Sequence, residues 1–97
     1  MVRADIGLAE PKLFVVVSNN RRNKTLGQVL AARLTTTAKP PIPSIVTLSH
    51  DDHLVGSVVC DDIVEIYEDE VQGIVGALSP ASMRAMNDGL KAALDLP

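Results

Sequence analysis

The chain has 97 residues, of which 46% are hydrophobic and 22% charged, and it carries a formal net charge of −3. That is room for one globular domain spanning residues 1–97 and too little for two. No apolar run approaches the roughly 18 residues needed to cross a bilayer, and the N-terminus lacks the charged, apolar and small-residue zones of a signal peptide, so the expected compartment is the cytoplasm, with no membrane partner.

In chain order, the first predicted element is a valine-rich apolar run over Leu13 to Val17, bounded by Pro11 before it and Ser18, Asn19 and Asn20 after it. It reads as a buried strand. Residues 18–27 are polar, basic and rich in turn formers, and are expected to be an exposed loop. A second strand is predicted over Gln28 to Thr36, whose closing threonines favour extended backbone. Lys39-Pro40-Pro41 then forces a turn, because proline offers no ladder donor. Pro43 to Leu48 alternates as a strand, Ser49 to His53 is a polar loop, and Gly56 to Cys60 and Ile63 to Ile66 read as two extended pieces split by Asp61-Asp62. A last strand is expected over Ile74 to Leu78. Short strands at this spacing predict a small barrel or sandwich. The final element is a helix from Pro80 to Leu94, with Ser79 as N-cap, proline at the first helical position, and an apolar stripe of Met83, Met86, Leu90 and Leu94.

Charge is unevenly placed. Seven of the nine Lys and Arg residues lie in the first 39 positions, whereas eight of the twelve acids crowd positions 51–70. The local field at a basic face matters more to a phosphate than net charge does, so one part of the chain suits a polyanion. A pair of solvated faces explains the same pattern. Cys60 is the single cysteine, which excludes an intramolecular disulfide and a thiolate-rich zinc site and reads as a small buried hydrophobe. His50, Asp51, Asp52 and His53 put four potential metal ligands in one loop, but adjacent ligands in a short loop seldom converge on one ion and a plain solvated turn accounts for them. Gly73 to Gly76 carries apolar residues where a nucleic-acid backbone clamp needs basic ones. With Phe14 and Tyr67 as the only aromatics, there is no stacking platform for single strands, and any contact with nucleic acid must use charge, backbone and hydrogen bonds.

Lys12 to Asn23 (KLFVVVSNNRRN) resembles the first block of MazF/PemK toxins, a basic residue followed by an apolar strand and Ser-Asn. Ala32 to Thr36 (ARLTT) is similar to the strand that ends in the family's threonine, with Ile42-Pro43-Ser44 at the expected distance. Val58 to Ile66 is similar to the strand and bend that follow, and Gly76 to Leu94 to the closing strand and helix. The resemblance implies a mainly β fold, a small Src-homology-three-like barrel of the MazF/PemK/CcdB type with a C-terminal helix, assembled as a homodimer. It further implies metal-independent, cofactor-free cleavage of single-stranded RNA by attack of the ribose 2′-OH, leaving a 2′,3′-cyclic phosphate and a 5′-OH. A MazE-like antitoxin would block the groove. Family members usually begin with an Arg-Gly-Asp-like segment and an aromatic strand before the position of Arg3, so a shortened first strand is expected here.

Carried over by position, Lys12 takes the place of the family's acid/base arginine and Thr35 that of its threonine. A cation beside the scissile phosphate stabilises developing charge and shuttles a proton, and a hydroxyl positions a phosphate oxygen. Lysine is a point charge without the bidentate fork. Without the resemblance, Lys12 reads as the cap of a strand edge. Ser18 and Asn19 match the family's polar pair at the strand end, or simply form a turn. Arg21, Arg22 and Lys24 would meet RNA or an acidic antitoxin, Thr36 joins the RNA-binding set, and Asp62 falls where relatives carry a polar group near the groove, a candidate for base readout. Two rival readings keep the fold: a CcdB-like toxin that contacts gyrase through the C-terminal helix, and an inactive relative that only binds antitoxin.

Overall fold

The computed structural model describes residues 1–5, 12–49, 51–52 and 55–97. Among the described residues six antiparallel strands form one sheet: β1 (Val2–Ala4), β2 (Lys12–Val16), β3 (Gln28–Thr35), β4 (Ile45–Thr47), β5 (Ser57–Tyr67) and β6 (Val71–Ile74), in the spatial order β4-β5-β3-β2-β1-β6. Among the described residues two α-helices complete the fold, α1 (Asn20–Leu26) and α2 (Pro80–Leu94). No described helix is long and apolar enough to cross a membrane. The mainly β architecture with a closing helix is as expected; the ladder itself is open, because β4 and β6 stand at opposite edges.

Both faces of the sheet are apolar, which is why β2 reads as a continuous run rather than an alternation. Phe14 points to one face, where it packs with Val2, Ala4, Ala31 and Ile66. Val15 points to the other, joining Ala32, Leu34, Val58, Cys60 and Met86 beneath α2. The three residues of β1 pair with β2 on one side and β6 on the other. Although short, the strand is thus an interior member of the sheet rather than an unpaired edge.

Four boundaries differ from expectation. The expected loop at 18–27 contains α1. Asn19 caps it by accepting the Arg22 amide at 2.9 Å, and Gly27 ends it in the left-handed region at φ 67°, sending its N–H back to the Asn23 carbonyl. An Asn N-cap and a capping glycine with seven residues between them outweighed the polar composition. The two pieces split by Asp61-Asp62 are one strand, β5, because an irregularity between Ala32 and Arg33 lets Cys60 to Asp62 bulge without ending the ladder. β4 is confined to Ile45–Thr47. The last strand lies earlier than predicted, at Val71–Ile74, after a single 3-10 turn at Glu68–Glu70.

Helix α2 spans the expected Pro80–Leu94, with the Ser79 side chain accepting from the Ser82 amide. Its buried face follows the predicted stripe only in part: Met86 is buried and Leu90 packs against the core. Ser82, Met86 and Gly89 are buried, whereas Met83 and Leu94 are exposed. Small residues face the sheet because the helix sits very close to it: a Cβ on Gly89 would lie 2.5 Å from Val46 Cγ2 and 2.9 Å from Cys60 Sγ. Burial and the neighbouring Asp61 charge push the Cys60 thiol up, so it stays protonated and serves as core packing.

Candidate functional site

The register of β2 on β3 pairs Phe14 with Arg33. Extended two positions, it sets Lys12 across from Thr35, and because strand side chains alternate, Lys12, Arg33 and Thr35 all share the Phe14 face. The three line one cleft of about 470 Å³ with Leu13, Thr36, Thr37, Lys39 and Val55. Lys12 is exposed and Thr35 half-buried. The Thr35 hydroxyl oxygen accepts the Thr37 amide at 3.1 Å, which orients the hydroxyl while leaving its own proton free to donate.

The floor behind Thr35 is tight. Gly56 has φ 152°, and a Cβ there would fall 2.8 Å from the Thr35 carbonyl oxygen. Gly56→Ala is therefore expected to move Thr35 and to lower any activity of the cleft by about tenfold or more, since misplacement by about 1 Å can cost 10²-fold. Steady-state kinetics on a variant with wild-type circular dichroism checks this.

Arg33 was not among the residues singled out from the sequence. Its Nε lies 3.1 Å from Asp62 Oδ2, with both side chains 38% exposed. The N–H is not aimed along that contact, so this is a charge contact rather than a linear hydrogen bond. The signal was available: Arg33 stands two residues before Thr35 on a strand, hence on the same face. The bulge separates the two acids, with Asp61 accepting the Ser44 hydroxyl at 2.5 Å and Asp62 turning to Arg33.

The other candidates lie elsewhere. Residues 18–24 sit at the far end of the β2–β3 pair: Ser18 is bonded to Leu30, five residues before Thr35 and about 17 Å away at a rise of roughly 3.3 Å per residue, and α1 follows it. Ser18 is engaged in structure: its hydroxyl donates to Asn23 Oδ1 at 2.6 Å and accepts the Leu30 amide at 2.9 Å. Arg22 Nη2 donates to Gln28 Oε1 at 3.0 Å, while Arg21 and Lys24 are exposed. The acidic stretch ends beside this basic helix, where the Glu68 amide donates to the Gly27 carbonyl and Lys24 and Glu68 border a common hollow. Charges that are segregated along the sequence thus meet in space at α1, and the cleft at Lys12 is where cations gather.

His50 and His53 lie outside the described residues. Asp52 is a helix clamp: its carboxylate accepts the Ser79 amide at 2.7 Å, the Ser79 hydroxyl at 3.1 Å and the Ser82 hydroxyl at 2.5 Å. These bonds, that from Ser82 foremost, hold its pKa below the ordinary 3.8. A carboxylate with a depressed folded pKa contributes stability above its unfolded value and loses it as pH falls through the folded one. Asp52→Asn is therefore expected to unfold at lower denaturant than wild type at pH 7, with the gap closing as pH is taken well below 3.8. Urea titrations at both pH values test it; a gap that persists in acid would refute the clamp.

Comparison with known proteins identifies the family. The sequence matches the family described as "PemK-like, MazF-like toxin of type II toxin-antitoxin system" over residues 6–94. It is 40% identical over 95 residues to Endoribonuclease MazF4 of Mycobacterium tuberculosis and to Endoribonuclease MazF1 of Mycobacterium bovis, covering 98% of this chain and 89% of each relative. Among solved structures, an endoribonuclease in complex with its cognate antitoxin from a mycobacterial species superposes with a TM-score of 0.91 at 40% identity, over 99% of this chain and 91% of that one. The Mycobacterium tuberculosis toxin MazF-mt6 shares the fold with a TM-score of 0.81 at 22% identity, over 99% of this chain and 96% of the other. On these matches and on the arrangement of β2, β3 and α2, the chain belongs to the MazF/PemK family of toxins of type II toxin-antitoxin systems.

Proposed function

We propose that this protein is an endoribonuclease toxin that cuts single-stranded RNA at a short sequence without a metal ion, and that a MazE-like antitoxin silences it in the cytoplasm. The observation that carries this reading is that Lys12 and Thr35 line one cleft together with the cations Arg33 and Lys39. In the reaction, the ribose 2′-oxygen attacks the adjacent phosphorus, the bond from phosphorus to the 5′-oxygen breaks, and the products are a 2′,3′-cyclic phosphate and a 5′-OH. The proton lost by the 2′-OH and the one gained by the 5′-oxygen are shuttled by the Lys12 amine, whose charge also stabilises the crowded phosphorane. Thr35 donates to a non-bridging oxygen, and Thr36 flanks the same strand end.

The basic side chains Arg21 and Lys24 on α1 are too far away to share the scissile phosphate, and instead meet more distant nucleotides or an acidic antitoxin. A second copy of the chain is the expected partner. The outer edge of β6 is unpaired among the described residues and carries Ile74 at 84% exposure beside exposed Val75. Apolar side chains on an open edge favour covering by another chain.

Incubation with a long single-stranded RNA in excess EDTA, followed by mapping of product ends, tests the reading. Cyclic-phosphate ends recurring at one short sequence are the expected result. Intact RNA after treatment with the folded dimer would sink the nuclease reading and leave a module that binds antitoxin only.

A further inference from the structure

We propose that Arg33 is a second substrate-binding cation of the cleft, gripping the phosphate next to the scissile one, and that Asp62 is the residue that positions it. This rests on the nuclease reading above and adds to it a residue that the Lys12 and Thr35 pair does not include.

Three observations lead there. Arg33 shares a strand face with Thr35 and, through its pairing with Phe14, with Lys12, and all three line the cleft. Successive phosphates of a single strand lie several ångströms apart, so a strand laid across β2 and β3 with one phosphate at Lys12 and Thr35 brings its neighbour towards Arg33. Second, Asp62 engages the guanidinium at Nε, and among the described residues no hydrogen bond occupies either Nη group. That leaves the paired N–H edge suited to a phosphate. Third, the contact is a poor device for stabilising the fold: it is off-axis, and at 38% exposure on each side an ion pair contributes little. Yet β5 is bulged at Cys60 to Asp62, and such bulges re-aim side chains. The bulge points one acid at Ser44 and its neighbour at Arg33.

The arrangement also settles the sign problem of a carboxylate near RNA. On its own, Asp62 would repel a phosphate. Paired to Arg33, it costs the cleft net charge but holds the guanidinium beside β5, so the pair trades affinity for placement.

The test separates binding from cutting by using mixed-sequence 2′-O-methyl RNA, which lacks the attacking hydroxyl, alongside cleavable RNA of the same length. Arg33→Gln is expected to weaken binding of the methylated RNA about tenfold and to flatten the slope of log Kd against log salt by about 0.7, the share of one phosphate contact on a single strand. Its KM on cleavable RNA rises accordingly. Arg33→Lys regains the salt slope but not the full affinity, because a point charge lacks the fork's paired donors. Asp62→Asn binds about threefold more tightly, with an unpaired guanidinium in the cleft, yet its kcat falls about tenfold; a purely structural pair would lose binding, rate and melting temperature together. Wild-type affinity and salt slope in Arg33→Gln, with wild type still cutting, would overturn the proposal and leave the nuclease reading standing. A folded wild-type chain that neither cuts RNA nor binds the methylated probe would overturn both.

Discussion

Lys12→Ala is expected to lower kcat/KM on single-stranded RNA by about 10²- to 10⁴-fold, the usual contribution of a positioned proton-transfer group. Because Lys12 is exposed at the start of β2 and its side chain is not part of either core cluster, the same change should leave stability within about 0.5 kcal/mol of wild type. That combination separates chemistry from folding. Thr35→Val keeps the β-branched shape at the end of β3 and removes one donor to the phosphate, so a loss of about 10²- to 10³-fold is expected, comparable to deleting one oxyanion donor. Lys12→Arg retains the charge and supplies a fork, and should cut within about tenfold of wild type if charge dominates. Single-turnover cleavage with saturating enzyme measures all three. Cutting by Lys12→Ala at the wild-type rate would remove this residue from the mechanism, whatever the fate of Thr35.

How much of this was legible beforehand depended on the range of the interactions involved. Helix α2 was readable to the residue because its signals are local: a serine cap, a proline at the first turn and a long window. Its packing face was not, since the choice of Ser82 and Gly89 over Met83 is set by how closely β4 and β5 approach. The heptad-like stripe of large residues marked amphipathicity correctly but not which side a crowded sheet could accept. Helix α1 was obscured for the opposite reason. It buries nothing, so there was no apolar period to detect, and only the Asn19 and Gly27 caps announced it. The continuity of β5 through Asp61-Asp62 required a bulge against β3, a pairing that no local pattern encodes.

For the site, the spacing of Lys12 and Thr35 carries no information until β2 and β3 pair in register; the likeness to MazF/PemK toxins supplied what spacing could not. Arg33 is less conspicuous than the basic run after Ser18, where seven polar and basic residues are adjacent in sequence. In the fold that run is turned away by the length of β3, while a single arginine facing the same way as Thr35 completes the cleft. Alternation along a strand was the better guide than density of charge. The Asp52 clamp was likewise hidden, because its partners Ser79 and Ser82 lie about thirty residues downstream.

Phe14→Ala should be the most damaging single change to the fold. Phe14 is fully buried, with 0% exposure, at the centre of a small cluster in which Ala4 and Ala31 have no methylenes to rearrange into the space. Truncating such a ring costs about 3–5 kcal/mol, lost transfer energy plus an unfilled cavity. A chain of this size has roughly 5–15 kcal/mol in total, so a large share of its stability goes. The consequence reaches the cleft through the ladder. Phe14 pairs with Val2 on one side and Arg33 on the other, and it stands two residues after Lys12 on the same strand face. A cavity under that pair loosens the floor on which Lys12 and Arg33 are mounted, so activity should fall even at temperatures where the variant remains folded. Phe14→Leu, which refills most of the volume, is expected to recover both properties together. Guanidinium unfolding and RNA cleavage at 15 °C on the two variants check this; full activity in a destabilised but folded Phe14→Ala would show that the cleft is held independently of the core beneath it.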